Sequence, residues 1–157
     1  MPNVIPAALH RALLPLAHRL RHRWRQLARI PIAGVSVVLV NAEGAILLLR
    51  HSYGPAVWAL PGGGLKRGED PAECARREVQ EELGITLDKV HAFATLEEEL
   101  SGAPHTAHLF SATATAEPVP DGREILEARF FAPQALPDAL GDTTRRRLAA
   151  WRERGGA

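Results

Sequence analysis

The sequence predicts an α/β domain preceded by a separate amphipathic helix, on three observations. Short β-branched and apolar runs of strand length recur between turn residues, one central segment carries both start and stop signals of a helix, and the apolar content is that of an ordinary core. The chain has 157 residues, 46% hydrophobic and 24% charged. That suits a single domain and excludes wholesale disorder or a coiled-coil rod. No run reaches the roughly 18 apolar residues a membrane span needs, and the start lacks the basic-then-apolar pattern of a secretory leader. The single cysteine, Cys74, excludes an intrachain disulfide framework and a multi-cysteine zinc site. A cytoplasmic location is the expectation.

Residues 1–30 read as the first element, an amphipathic helix. Leu9, Leu13, Leu16, Leu20, Trp24 and Leu27 fall on one helical stripe, and Arg11, Arg19, Arg21, Arg23 and Arg25 fall on the other face. Pro15 kinks this helix or marks where its main part begins. Residues 1–42 hold six arginines and no acid, whereas residues 43–157 hold 13 basic and 18 acidic residues. A basic extension therefore precedes an acidic domain over residues 31–157. The leucine stripe is expected to lie on that domain or to pair two copies of the chain as a homodimer. A nucleic acid or a membrane surface is the alternative partner.

Within the domain, Ile32–Val40 and Ala45–Leu49 read as two strands of a hairpin turned at Asn41-Ala42-Glu43-Gly44. A short segment, Val57–Leu60, leads into Pro61 and three glycines, Gly62 to Gly64, where a tight bend or a close approach to a ligand is expected. A helix follows, with Asp70 as N-cap, Pro71 at its first position, Glu73 completing a capping pattern and Gly84 as its stop. Val90–Leu96, His105–Thr113 and Ala128–Phe131 read as later strands, and Thr143–Arg154 as a closing helix.

The chemistry concentrates in Gly63 to Ile85. On the central helix Glu78, Glu81 and Glu82 stand at i, i+3 and i+4, so three carboxylates share one face. Like charges that close repel, and hard divalent cations such as Mg²⁺ or Mn²⁺ neutralise them while clamping a phosphate and activating a water. Ala75, Val79 and Leu83 form the opposite, anchoring face.

This stretch resembles the signature of the Nudix hydrolases, Gx5Ex7REUxEExGU, where U is a bulky aliphatic residue. Gly63, Glu69, Arg77, Glu78, Val79, Glu81, Glu82, Gly84 and Ile85 fill every defined position. With seven fixed letters, a chance match is about 10⁻⁸ per starting point. The resemblance implies an α/β/α sandwich around a mixed β-sheet. It also implies a metal-dependent hydrolase that cleaves a diphosphate bond in a nucleoside diphosphate linked to another group, whether a nucleotide sugar, an ADP-ribose-like compound or a nucleoside triphosphate. Its rival is a binding or regulatory module of the same fold, tethered by the basic helix; such modules usually lose motif acids, and here all of them are present.

Residue by residue, the resemblance implies that Glu81 and Glu82 are the main metal ligands and that Glu78 is a ligand or the water-activating base. Arg77 orients a catalytic carboxylate, the Gly62 carbonyl is a further ligand, and Gly63 and Gly64 let the loop approach substrate. Glu69 reads as structural. Family members often recruit one more acid from a distant loop: Glu124 is the first candidate, then Glu127, then the Glu97-Glu98-Glu99 run, which reads more simply as a solvated strand end. Arg50 and His51 face the glycine loop and are candidates for phosphate contact, while Trp58 is a candidate for stacking on a base or for the core. Cys74 reads as packing. The proline or tyrosine that marks ADP-ribose or dinucleoside polyphosphate hydrolases would fall at Leu100 or at Ser101 to Ala103, and neither is present.

Overall fold

The computed structural model describes residues 32–100 and 102–156, so the helix expected over residues 1–30 and its proposed pairing lie outside the described residues. Eight elements follow in order: strands β1 (Ile32–Val40), β2 (Ile46–His51) and β3 (Gly62–Gly64), helix α1 (Pro71–Leu83), strands β4 (His91–Leu100), β5 (Ala103–Thr113) and β6 (Ile125–Phe131), and helix α2 (Asp142–Glu153). The strands form one sheet in the order β4-β5-β1-β2-β6, with β3 alongside β1. β1 runs parallel to β5, while its pairings with β2 and β3, and those of β2 with β6 and β4 with β5, are antiparallel. The sheet is thus mixed.

Apolar residues at successive positions of β1 and β2 make both faces of the sheet hydrophobic, because neighbouring side chains of a strand point to opposite sides. Val35, Val37, Leu39, Leu47 and Leu49 pack on one side against Ala75, Val79 and Leu83 of α1. Val38, Ile46 and Leu48 pack on the other against Leu148 and Trp151 of α2. The helices therefore cover opposite faces, which gives the expected sandwich.

The ends of α1 are set locally. Asp70 accepts from the backbone N–H groups of Ala72 at 2.9 Å and Glu73 at 3.2 Å, and Gly84, at φ 67°, donates to the Gln80 carbonyl at 3.0 Å. Glu73 does not reach back to complete the cap; it pairs with Arg76 at 2.6 Å.

The expected hairpin forms, with a short pairing, and the glycine segment departs from expectation. The β1–β2 hairpin pairs at Val40 with Ile46, because β3 takes the place beside Gly34, Val35 and Ser36. Gly62–Gly64, where a tight bend or a close approach to a ligand is expected, form a strand, and in the segment before them Ala59 bridges to Leu49 and Trp58 to Leu140. The reason is steric: a Cβ on Gly62 would overlap the Val35 carbonyl oxygen, and one on Gly34 would press on the Gly63 carbonyl.

Cys74 is wholly buried against the sheet. Cys74→Ala is expected to lower stability by about 1 kcal/mol, the usual effect of trimming a small buried group, and to leave the site's geometry intact. Urea unfolding of the two proteins measures it; a loss above roughly 3 kcal/mol would assign the thiol more than packing.

Candidate active site

The site forms where α1 passes beneath β3. Arg77 organises it: Nε donates to Glu69 Oε1 at 2.7 Å, Nη2 to Glu69 Oε2 at 3.0 Å and to the Gly64 carbonyl at 3.2 Å, and Nη1 to Glu78 Oε1 at 2.6 Å and to Glu81 Oε2 at 3.1 Å. A planar guanidinium with five N–H groups makes such a two-sided set of bonds where an ammonium cannot. The bonds to Glu69 hold its carboxyl well below the usual range, at about 2, and together with those to Glu78 they raise the arginine's own pKa. Glu69 is thus a strut that ties the loop before α1 to Arg77, with the Lys66 N–H as its other partner at 2.9 Å.

Glu82 is the deepest of the acids, 8% exposed, and its Oε2 accepts from the Gly62 N–H at 3.0 Å. Burial pushes it well above the usual carboxylate range, more than the Gly62 bond offsets, and Glu78, Glu124 and Asp121 add repulsion. Burial also raises Glu78, against the pull of Arg77, with Glu81 and Glu124 adding to it. Gly63 is bare for this reason: a Cβ there would overlap the Glu78 carboxyl group. Cys74 sits behind the cluster, donating to the Gly64 carbonyl at 3.6 Å and accepting from Arg77 at 3.4 Å, and burial lifts its thiol to about 12. Such a thiol is no nucleophile.

Glu124 belongs to this group through its field on Glu78 and Glu82. The loop that presents it is wrapped around Asp121, whose Oδ1 accepts from the N–H groups of Arg123, Glu124 and Ile125 at 2.8 to 3.0 Å. The loop is sewn to the end of α1 by the Val119 N–H to the Leu83 carbonyl, at 2.8 Å, and to Ser52 by the Ser52 N–H to the Glu124 carbonyl, at 2.8 Å. Sequence reasoning passed over Asp121, although Asp121-Gly122 is itself a turn signal.

Glu127 lies elsewhere, paired with Arg50 at 3.5 Å and with Arg129. Arg50 and Arg129 lie over the ring of Trp58, 5.8 and 5.3 Å from its centre, and Trp58 is 7% exposed and edge-on to Phe131. The structure therefore sets Trp58 in the core, with Arg50 outside it rather than over the glycine strand.

A cleft of about 460 Å³ opens beside β3, lined by Gly62, Gly63 and Gly64, by His51 and by residues of β1, β5 and α2, with Arg50 and Trp58 outside its lining. Glu98, expected as part of a solvated strand end, is instead half-buried behind its wall, bonded to His105 at 3.2 Å and to Arg147. Glu97 accepts from Thr106 at 2.9 Å.

The donor set is all carboxylate and carbonyl oxygen, which suits a hard divalent cation, and a buried acid above its ordinary range is a group a cation would relieve. Among the described residues no three acids stand gathered at metal-ligand distance; Arg77 and Gly62 hold them.

Fold and site together define the Nudix class: a carboxylate-rich helix crossed by a glycine strand, on a sheet covered by a helix on each face, with a cleft alongside. The NUDIX domain family matches residues 31–152, and the chain belongs to it. Over 51 residues it is 43% identical to an RNA pyrophosphohydrolase of Rhodospirillum rubrum, covering 32% of this chain and 31% of that protein. Over 77 residues it is 35% identical to an RNA pyrophosphohydrolase of Roseobacter denitrificans, 48% of each chain. The chain thus matches less than half the length of these curated relatives. A MutT NUDIX hydrolase from Burkholderia pseudomallei has the same fold, with a TM-score of 0.70 and 28% identity over 77% of this chain and 98% of that one.

Gly62, at φ 151° and with no room for a Cβ, anchors Glu82. Gly62→Ala is expected to destabilise the protein by about 3 kcal/mol through strain and overlap. Urea unfolding checks this, and a loss under roughly 0.5 kcal/mol would contradict the tight apposition of β1 and β3.

Proposed function

We propose that this chain hydrolyses a diphosphate bond in a nucleoside diphosphate linked to another group, with Mg²⁺ or Mn²⁺ as cofactor. The observation that carries the reading is the cluster itself: Glu78 and Glu81 converge on Arg77, and Glu82 is buried against Gly62, at the edge of a cleft floored by the same glycines. Glu81, Glu82 and Glu78, with Glu124 and the Gly62 carbonyl, are the groups that would hold the cation. When bound, it supplies positive charge for the phosphoryl oxygens and a more acidic water.

The chain's own residues do the rest. Arg77 fixes Oε1 of Glu78 and so orients the other oxygen, which can take the proton of the attacking water. The bare edge of β3 admits the diphosphate close to the backbone, and His51 lines the approach. Glu69 keeps Arg77 in place and stays out of the reaction. Nothing in this scheme needs the thiol.

Since two relatives are named RNA pyrophosphohydrolases, 5′-triphosphate RNA joins nucleotide sugars, ADP-ribose and nucleoside triphosphates in the panel to screen with Mg²⁺ or Mn²⁺. Products are read by mass. Glu82→Gln and Glu81→Gln keep the side-chain shape and remove the charge, and each is expected to reduce turnover at least about 10²-fold. Near-normal turnover in a folded Glu82→Gln protein at saturating metal would contradict the assignment.

A further inference from the structure

The wall of the cleft away from the carboxylates carries a second polar group that the cluster does not use. Four elements meet there. Arg147 of α2 donates through Nη1 to Ser36 Oγ of β1 at 2.6 Å and through Nη2 to Glu98 of β4, and Glu98 also holds His105 of β5. Glu98 and His105 are cross-strand partners in the β4–β5 ladder, and Ser36 is the partner of Gly62 in the β1–β3 ladder. The side chains of Arg147 and Glu98 are only 12% and 10% exposed.

An ion pair whose side chains are so largely withdrawn from water gains little over apolar packing once its desolvation is met, so fold stability is a poor reason for it. Leu148 and Trp151 already seat α2 on the sheet. Arg147 lines the cleft, its Nε is a buried donor without a partner among the described residues, and Nη1 and Nη2 each carry a second hydrogen. Glu98 Oε1 faces this guanidinium directly, while the exposed Arg146 stands 3.9 Å from the other carboxylate oxygen, so much of the Arg147 charge is already met and its free hydrogens suit a neutral hydrogen-bond acceptor. The rest of the lining includes apolar Val35, Leu60, Leu65 and Leu100, surfaces for the faces of a flat ring.

Resting on the proposed nucleotide hydrolysis, we propose that Arg147, oriented by Glu98 and Ser36, determines base specificity: the cleft selects a base whose edge offers acceptors, a 6-oxopurine, over a 6-aminopurine. Guanidinium donors match adjacent O6 and N7 acceptors, whereas an adenine-type edge presents an amino donor at the same place and is repelled. The Ser36–Gly62 pairing sets this contact one strand away from the backbone N–H that holds Glu82, so a seated base brings its phosphates to the acids.

The test compares kcat and KM for guanosine, inosine and adenosine triphosphates with Mg²⁺ on the full chain, and on Arg147→Lys and Arg147→Gln. Metal-free affinity for GMP and AMP, measured by calorimetry, is a second readout. The intact chain is expected to favour guanosine and inosine over adenosine by about tenfold or more. Arg147→Lys keeps the charge beside Glu98 but loses the planar fork, and is expected to lose most of that preference through KM, with kcat nearly unchanged. Arg147→Gln should bring the three substrates within about threefold of one another if it folds. If the intact chain hydrolyses nucleotides without a base preference, or Arg147→Lys keeps the preference or lowers kcat on all three substrates alike, the inference is overturned while hydrolysis stands. If no nucleotide of any kind is hydrolysed but GMP binds better than AMP and Arg147→Lys abolishes the difference, the base site stands and the hydrolytic reading fails.

Discussion

Glu82 is taken out of water and held by one backbone N–H, and much of the architecture is arranged around that contact. A carboxylate in such a place repels its neighbours and resists ionising, so the chain has to supply compensation nearby. Gly62 provides the N–H at a backbone conformation only glycine adopts readily, and Gly63 leaves room for Glu78. Arg77 then gathers Glu78, Glu81 and Glu69, a single cation facing three acids, and its bond to the Gly64 carbonyl ties the same strand down again. Without Gly62 the buried Glu82 loses its backbone partner, and without Arg77 the half-buried Glu78 loses its side-chain partner.

The alternation of β1 divides the labour between the two faces of the sheet. Val35, Val37 and Leu39 face α1 and its acids, whereas Val38 faces α2 and Ser36 bonds to it. Two polar groups, the carboxylate cluster and the Glu98–Arg147 pair, thereby come to opposite sides of one strand and meet across the Ser36–Gly62 pairing. The cleft is lined by the residues of β1 and β3 that link them.

Local signals made part of this legible from the chain alone. Asp70, Pro71 and Gly84 bound α1 to the residue, and the spacing of Glu78, Glu81 and Glu82 against Val79 and Leu83 predicts both of its faces. Gly62 to Gly64 read as a bend or a close approach to a ligand because a strand is recognised by side chains, and these residues have none; their pairing depends on Gly34, nearly 30 residues earlier. Glu98 looked solvated within a run of three glutamates, since its burial comes from His105 and Arg147, which only the sheet and α2 bring near. Asp121 escaped notice because its role is to shape the loop that carries Glu124. Trp58 has the composition of a stacking residue, yet tertiary packing against Phe131 decides its place.

Under the proposed metal-dependent hydrolysis, the acids around Glu82 wait for a cation at a cost to the metal-free fold. Their raised pKa values fix the sign. Carboxyls that ionise less readily in the folded state than in the unfolded chain penalise folding above the ordinary carboxylate range, and the penalty disappears as pH falls below it. Unfolding free energy of the intact chain, measured by urea at pH 5 and pH 7.5 with and without Mg²⁺, tests this directly. Mg²⁺ at about a hundred times its dissociation constant is expected to stabilise the protein by roughly 2 to 3 kcal/mol at pH 7.5, and by clearly less at pH 5, where protons compete for Glu78 and Glu82. A stability indifferent to Mg²⁺ and Mn²⁺ at pH 7.5 would contradict it.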